Sequence, residues 1–395
     1  MPLTSCPVKS VLYVGTPLPG TSDLCLLISC LCLAQDLTIH HIDVGQGDCT
    51  LIQTKFKTIL VDAGSNGKGK STVIPYLKSL NISHINYVIA SHYHADHIGG
   101  IDEVLEAFSA DTVFDRGTAR KTPTSKTYRD YARTASETHR VTVQPGTTFH
   151  LGSNIYLHFI ASDGQYQVSS GDPRRPTVLC SLCALPHALC PTHLSPTTYD
   201  LSPMSHDPSA MNYPDENSLS IAFTLTYVRH SNLSATSYEP STIFSYFSGG
   251  DLTGYDVGDA IDLETPVARI VGHVDALKIN HHGSRFSTNP EFISTLSPVC
   301  VFISVGRNNT YGHPAPETLL RLQSKPSVLW IYQTEGANAT VPKQRIVGTS
   351  VLRFYERDDS SYFTVQLNDG TGYPDYFKCQ NFKSNQEPAN GVRKK

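Results

Sequence analysis

The stretch Ser91-His92-Tyr93-His94-Ala95-Asp96-His97-Ile98-Gly99-Gly100 follows directly on the apolar run Ile85–Ala90. It places three imidazoles and one carboxylate within six residues. Burying such groups without partners is expensive, at several kcal/mol each. A divalent cation is the natural partner, because neutral imidazole and ionised carboxylate ligate zinc and similar ions. His92 and His94 stand two apart on the extended exit from a strand, so both can turn toward one ion. Asp96 and His97 open a helix expected over Ile98–Phe108 and approach from another direction, which suits a second ion. The alternative is a polar loop that happens to be rich in histidine. The order H-x-H-x-D-H, set between a strand and a Gly-Gly helix start, argues against that alternative.

The chain has 395 residues, enough for one large domain or two ordinary ones, each with a proper core. Charged residues make up 17%, the net charge is −4, and the longest basic run is the terminal Arg393-Lys394-Lys395. That composition excludes a protein whose main task is stable binding of duplex nucleic acid. It leaves room for an enzyme that cuts nucleic acid, since a bound metal adds positive charge outside the sequence count. The apolar run Leu24–Leu33 is too short to span a membrane and fits the apolar region of a secretory signal. A buried strand or an N-terminal extension is the competing reading of residues 1–34. Sequons at Asn81, Asn232, Asn308 and Asn338 favour a secreted, extracellular location over a cytoplasmic one. Cleavage near Gln35 would leave six cysteines, an even number compatible with disulfides whose pairing the sequence does not define.

From Leu37 the pattern is that of an αβ protein. Strands are expected at Leu37–Ile42, Cys49–Thr54, Thr58–Val61 and Ile85–Ala90, with a helix over Ser71–Leu80. A glycine-punctuated turn, Asp43-Val44-Gly45-Gln46-Gly47-Asp48, separates the first two strands. Later come a helix at Pro316–Leu322, a strand at Val328–Tyr332, and a hairpin of Ser350–Tyr355 with Tyr362–Leu367. Residues 163–211 are rich in Pro, Ser, Thr and Cys without periodicity and read as a loop insertion. Cys180, Cys183, His187, Cys190 and His193 have zinc-like spacing there, but no regular element would hold them. Residues 368–395 read as a polar C-terminal tail, and 37–367 as the domain.

The combination DVGQGD, TILVDAG and ASHYHADHIGGIDEVL resembles the metallo-β-lactamase superfamily, and within it the metallo-β-lactamase-like domain of the ComEC/Rec2 competence proteins. Three further segments agree in order: Phe247–Leu252 (FSGGDL), Ala276–Ser284 (ALKINHHGS) and Asn309–Pro314 (NTYGHP). Asp215–Ser220 resembles the N-x-S strand entry that precedes the GD element. The resemblance implies a four-layer αββα metallo-β-lactamase sandwich with its metal site at one sheet edge. It implies His92 and His94 on a first metal, Asp96 and His97 on a second, and Asp251 bridging both. The last ligand comes from His281 or His282. Neighbours on a strand point to opposite faces, so only one binds unless the strand has ended.

The wider superfamily carries one more histidine on the first metal. His139, His150, His158 and His230 lie in the right interval, as do His187, His193 and His206 of the insertion, and Asn217 is the alternative. Asp62, after the third strand, suits accepting N–H bonds from ligand imidazoles. Asp43 and Asp48 read at least as well as caps of their own turn as contacts to a metal or substrate. Lys278 and Arg285 read as solvated bases near the site, and His313 as an acid for a leaving group or a packed histidine. The expected cofactor is zinc, one or two ions, with manganese as the alternative. A bound ion lowers the pKa of water from about 15.7 to near 7. The expectation is therefore a hydrolase using metal-activated hydroxide, with Asp96 sharing the proton. A phosphodiester is the favoured substrate. Small esters, lactones or β-lactams are the alternative, and a non-catalytic metal-binding protein is a second one.

Overall fold

The computed structural model describes residues 37–167, 214–229, 241–336, 340–356, 361–367 and 374–379. The run Leu24–Leu33, the cysteines of the insertion and His187, His193, His206 and His230 lie outside the described residues. Val88 and Ile89 are adjacent and both fully buried, yet they belong to different layers. Val88 clusters with Leu77, Ile101 and Val104, and Ile89 with Ile59, Phe114 and Phe159. This alternation, apolar on both faces, is what a sheet covered on both sides demands.

The first sheet begins with β1 (Leu37–His41), β2 (Thr50–Thr54), β3 (Thr58–Val61), β4 (His84–Ile89), β5 (Ser109–Asp115) and β6 (His139–Thr142). The chain then builds a second sheet from β7 (Thr148–Gly152), β8 (Ile155–Ser162), β9 (Gln165–Tyr166), β10 (Ala222–Arg229), β11 (Ser241–Ser248), β12 (Ala276–Lys278), β13 (Cys300–Ile303), β14 (Trp330–Gln333) and β15 (Gln344–Ile346). It returns to the first sheet with β16 (Ser350–Tyr355), β17 (Tyr362–Gln366) and β18 (Asp375–Lys378). The orders are β18-β17-β16-β1-β2-β3-β4-β5-β6 and β15-β14-β13-β12-β11-β10-β8-β7, with β9 paired to β8. Strands β3 to β6 run parallel, as do β11 to β15.

Helices α1 (Ile74–Ser79), α2 (Ala95–Ile98), α3 (Ile101–Ala107) and α4 (Lys126–Ser136) cover the outer face of the first sheet. Helices α5 (Glu264–Val271), α6 (Pro290–Leu296) and α7 (Pro316–Ser324) cover the second. Between the sheets lie Ile39, Ile52, Phe159, Phe223, Phe244, Phe302 and Phe354. The architecture is therefore the four-layer αββα sandwich expected. No described helix is long and apolar enough to cross a membrane.

Three expectations change. The single helix over Ile98–Phe108 is two, α2 and α3, broken at Gly99-Gly100. A Cβ at Gly99 would lie 2.3 Å from Asn66 N, and one at Gly100 2.4 Å from Ala63 O, so neighbouring backbone is packed against the break. The sheet also extends beyond residue 368, because β18 pairs antiparallel with β17. Among the described residues, Cys49, Cys300 and Cys379 are buried and free, not disulfide-bonded.

Asp62, Ser91, Asp251, His281 and His282 follow the ends of β3, β4, β11 and β12, so the parallel strands deliver them to one edge. The turn after β1 closes on them. Gly47 has φ +135°, and a Cβ there would lie 2.3 Å from Asp96 O, whose carbonyl accepts Asp48 N–H at 3.0 Å. Gly47→Ala should therefore destabilise the fold by about 1–3 kcal/mol in urea denaturation and lower cation affinity by displacing Asp96. A variant with wild-type stability and affinity would show that the close approach carries neither.

Candidate metal centre

His97 is fully buried and fixed from behind: Asp62 Oδ2 accepts its Nδ1–H at 2.8 Å. Asp62 in turn accepts Ser91 N–H at 2.8 Å and Ser91 Oγ–H at 2.6 Å, which seats the exit of β4. This orients His97 Nε2 toward Asp251 Oδ1 at 3.2 Å and His282 Nε2 at 3.3 Å. His282 is fixed in the same manner, its Nδ1–H donating to Ser304 O at 2.8 Å. Its Nε2 stands 3.4 Å from Asp96 Oδ2 and 3.6 Å from Asp251 Oδ2. Backbone or carboxylate partners on the far nitrogen are the usual way a ligating imidazole is held.

His92 Nε2 lies 3.8 Å from Asp251 Oδ2 and 3.0 Å from His94 Nδ1. His281 Nε2 is also 3.8 Å from Asp251 Oδ2. Asp251, 2% exposed, is thus the meeting point of four imidazoles. The strand has ended before His281 and His282, which frees both from opposite-face geometry. Both adopt left-handed backbone, φ 50° and 52°, a strained state for histidine that suits a functional turn. Glu264, fully buried, anchors that turn by accepting Asn280 Nδ2–H at 2.7 Å, Thr288 N–H at 2.6 Å and Asn289 N–H at 2.8 Å.

The donor set fits a cation. Four groups among the described residues, His92–His97–Asp251, Asp96–His97–His282, Asp48–Asp251–His282 and Asp48–Asp62–His97, each bring donor atoms within 4.8 Å of one another. Oδ1 of Asp48 is buried and accepts no hydrogen bond. His94 and His281 fall outside these groups but line the same cleft of about 460 Å³ with Gln46, Asp96, Asn217, Tyr311 and His313.

Lys278 and Asp48 depart most from expectation. Lys278 is 2% exposed and forms a buried ion pair with Asp48. A short hydrophobic strand carries the lysine inward, so it is neither solvated nor at the cleft mouth. Asp48 does not cap its turn through its side chain, whereas Asp43 does, accepting Gly45 N–H at 3.0 Å. Arg285 is exposed. Of the candidate extra histidines, His139, His150 and His158 sit on β6, β7 and β8 away from the cleft. His158 is occupied by Thr148 and Gln167. Asn217 does line the cleft, with its buried Oδ1 unpartnered. His313 contacts His281 and His282 at ring separations of 5.3 and 6.4 Å. Asn309 clasps its backbone, accepting His313 N–H at 2.9 Å and donating to its carbonyl at 2.7 Å.

Residues 42–167 match the family model described as the metallo-beta-lactamase superfamily, which this part of the chain resembles. Two curated relatives match over most of the chain. ComE operon protein 3 of Bacillus subtilis (strain 168) is 22% identical over 348 residues, 83% of this chain and 36% of the relative. Recombination protein 2 of Haemophilus influenzae is 25% identical over 295 residues, 74% of this chain and 27% of the relative. The chain thus spans about a third of the length of these relatives. Among solved structures, CmlA, a diiron beta-hydroxylase from Streptomyces venezuelae, covers 81% of this chain and 54% of its own at 12% identity, with TM-score 0.42.

Charge explains the protonation at the site. Burial alone would push His282 and His97 down, but Asp251 beside both raises His282 to about 9 and His97 well above its ordinary value. Burial and the neighbouring His97 push His92 well down, so it stays neutral. Protons on His97 and His282 therefore compete with a cation, and lower pH favours the protons. Apparent Mn2+ affinity should rise roughly tenfold per pH unit for each proton displaced, up to the point where His282 has titrated. Calorimetric titrations in buffers of different ionisation enthalpy would report the released protons. A pH-independent affinity would count against ligation by these two residues.

Proposed function

We propose that the chain is a metal-dependent hydrolase acting on phosphodiesters. The observation that carries this reading is the buried Asp251 carboxylate shared by His92, His97, His281 and His282, at 3.2–3.8 Å from each. One cation would be held by Asp96, His97, His282 and Asp251. A second would be held by His92, His94 and Asp251, with the Asn217 amide carbonyl beside them. Zinc and manganese both suit such nitrogen and carboxylate donors. When bound, the ions supply Lewis acidity and lower the pKa of coordinated water.

The chain's own residues do the rest. Asp96 faces the cleft with its carboxyl held well below the usual range by His282 and His97 despite burial, so it accepts protons only transiently. His313 is pushed down to about 4 by burial and by His281 and His282, which leaves it neutral at pH 7. A neutral imidazole there can donate a hydrogen bond to a phosphoryl oxygen. It becomes a proton donor only once the anion's charge has raised its pKa. Lys278, paired with Asp48 below the site, offsets carboxylate charge rather than touching substrate.

Tyr311 favours phosphodiesters bearing planar bases over small esters. It lines the cleft, is 68% exposed, and stacks near-parallel on His313 with an interplanar angle of 18°. A relative named Recombination protein 2 points the same way among phosphodiesters.

The test is turnover of bis(p-nitrophenyl) phosphate, nitrocefin and a lactone by Mn2+- and Zn2+-loaded protein. Phosphodiester turnover should dominate and fall at least about 100-fold in Asp251→Ala, and about 10–100-fold in His94→Ala. Dominant nitrocefin or lactone turnover would replace the substrate class, and absence of any bound ion would sink the hydrolase reading. Separately, Tyr311→Ala should raise KM about tenfold for a thymidine p-nitrophenyl phosphodiester, the scale of one base–aromatic stack. Tyr311→Phe should restore it, and an unchanged KM would remove Tyr311 from recognition.

A further inference from the structure

Arg116 is the largest fully buried side chain, and it is charged. Its Nε and one terminal nitrogen donate side by side to the two oxygens of Glu216, both at 2.8 Å. The other N–H groups go to Gly117 O and Lys121 O at 3.1 Å and to Asp163 Oδ1 at 3.3 Å. Glu216 Oε1 also accepts the backbone N–H of Tyr93 at 2.9 Å, and the Arg116 guanidinium lies over the Tyr93 ring, 4.3 Å from its centroid. Tyr93 is thus gripped by its backbone from one member of the pair and by its ring from the other.

Two chain relationships give this grip its consequence. Tyr93 is the single residue between His92 and His94, so fixing its amide fixes the direction in which both imidazoles leave the backbone. Glu216 immediately precedes Asn217, whose buried carbonyl faces the same cleft. A second tie, Ile221 N–H to Ser91 O at 2.8 Å, joins the same two segments on the other side of the histidines. Neither Arg116 nor Glu216 lines the cleft.

Stability alone is a poor reason for such a pair, because well-packed apolar residues often serve as well or better in a buried position. What a guanidinium–carboxylate fork adds is direction: two parallel charge-assisted bonds in one plane. Ligand sets tolerate displacements of only about 0.5 Å, so direction is what a metal edge needs from its surroundings.

We infer that Arg116 and Glu216 are positioning residues for the metal centre, holding the His92–His94 segment and the Asn217 turn in register and thereby setting cation affinity at that half of the site. The inference rests on the reading that this edge binds metal.

The experiment titrates Co2+ into wild-type protein, Arg116→Lys, Glu216→Gln and the double variant Arg116→Met/Glu216→Leu. Each is followed by the visible d–d spectrum, by equilibrium affinity, and by far-UV circular dichroism with urea denaturation. Lysine keeps the charge without the fork, and the apolar pair removes both charges without leaving one unpaired. The expected result is folded variants in which one of two Co2+ equivalents binds about 10–100-fold more weakly, with an altered spectrum, while the other is retained. Folded variants with wild-type spectrum and affinity would overturn the inference. So would variants that all fail to fold even with saturating Co2+, since the pair would then be a staple of the fold. Wild-type protein that binds no Co2+ would instead sink the metal reading itself, and the inference with it.

Discussion

A single buried carboxylate sets the terms for this molecule. Asp251 sits almost inaccessible between imidazoles from two segments of chain, with Asp48, Asp62 and Asp96 close by. Among the described residues here, only Lys278 supplies a permanent positive charge, and it is engaged by Asp48. Four carboxylates cannot remain ionised in low dielectric against one ammonium without further positive charge. Protons on His97 and His282 provide it in the absence of a cation, and a divalent ion provides it more compactly. The charge of the packing therefore favours a cation, as the ligand spacing does.

Holding that charge cluster together requires loops from both sheets to be laced. Asp251 N–H donates to Ser220 Oγ at 3.1 Å and His281 N–H to Gly250 O at 3.1 Å, which locks the second sheet's contributions to one another. Ala63 N–H to His97 O at 2.9 Å and Gly64 N–H to Asp48 O at 2.8 Å do the same within the first. Lys278 then crosses between the sheets to Asp48. The three apolar layers bring the strand ends to one edge, and these polar ties set the fine position.

How much of this was legible depends on the range of the interaction. Individual strands and helices were readable because apolar alternation and strand–glycine–helix punctuation are local, and the dense H-x-H-x-D-H run announced its own chemistry, whereas the four layers were readable only through the resemblance. Asp251 and the His281-His282 pair were readable only through the resemblance, since nothing local marks a lone GD or HHG as ligating. The Asp48–Lys278 pair, 230 positions apart, carried no signal as a pair: Asp48 read as a turn cap and Lys278 as a solvated base. Arg116, Glu216 and Glu264 were silent for the same reason: a buried charge and a solvated one are spelled identically. The Gly99-Gly100 break illustrates the converse. The glycines were visible, but the backbone packed against them at Asn66 and Ala63 was not.

The two halves of the edge differ in how far the protein has oriented them. His97 and His282 are fully buried, and each has its far nitrogen committed, one to Asp62 and the other to Ser304 O. An ion arriving there meets donors whose rotamers are already fixed, and little side-chain entropy is lost on binding. His92 is equally buried, but its neighbour His94 stands exposed at the cleft, with Nδ1 3.0 Å from His92 Nε2. In that half His92 Nδ1 lies 3.2 Å from Ser91 Oγ, and the backbone around Tyr93 is tied to Glu216 and Ile221. Asp251 belongs to both halves, so filling the rigid one first places its carboxylate for the other. The two halves thus differ in which histidines the fold has anchored and which it has left to their neighbours.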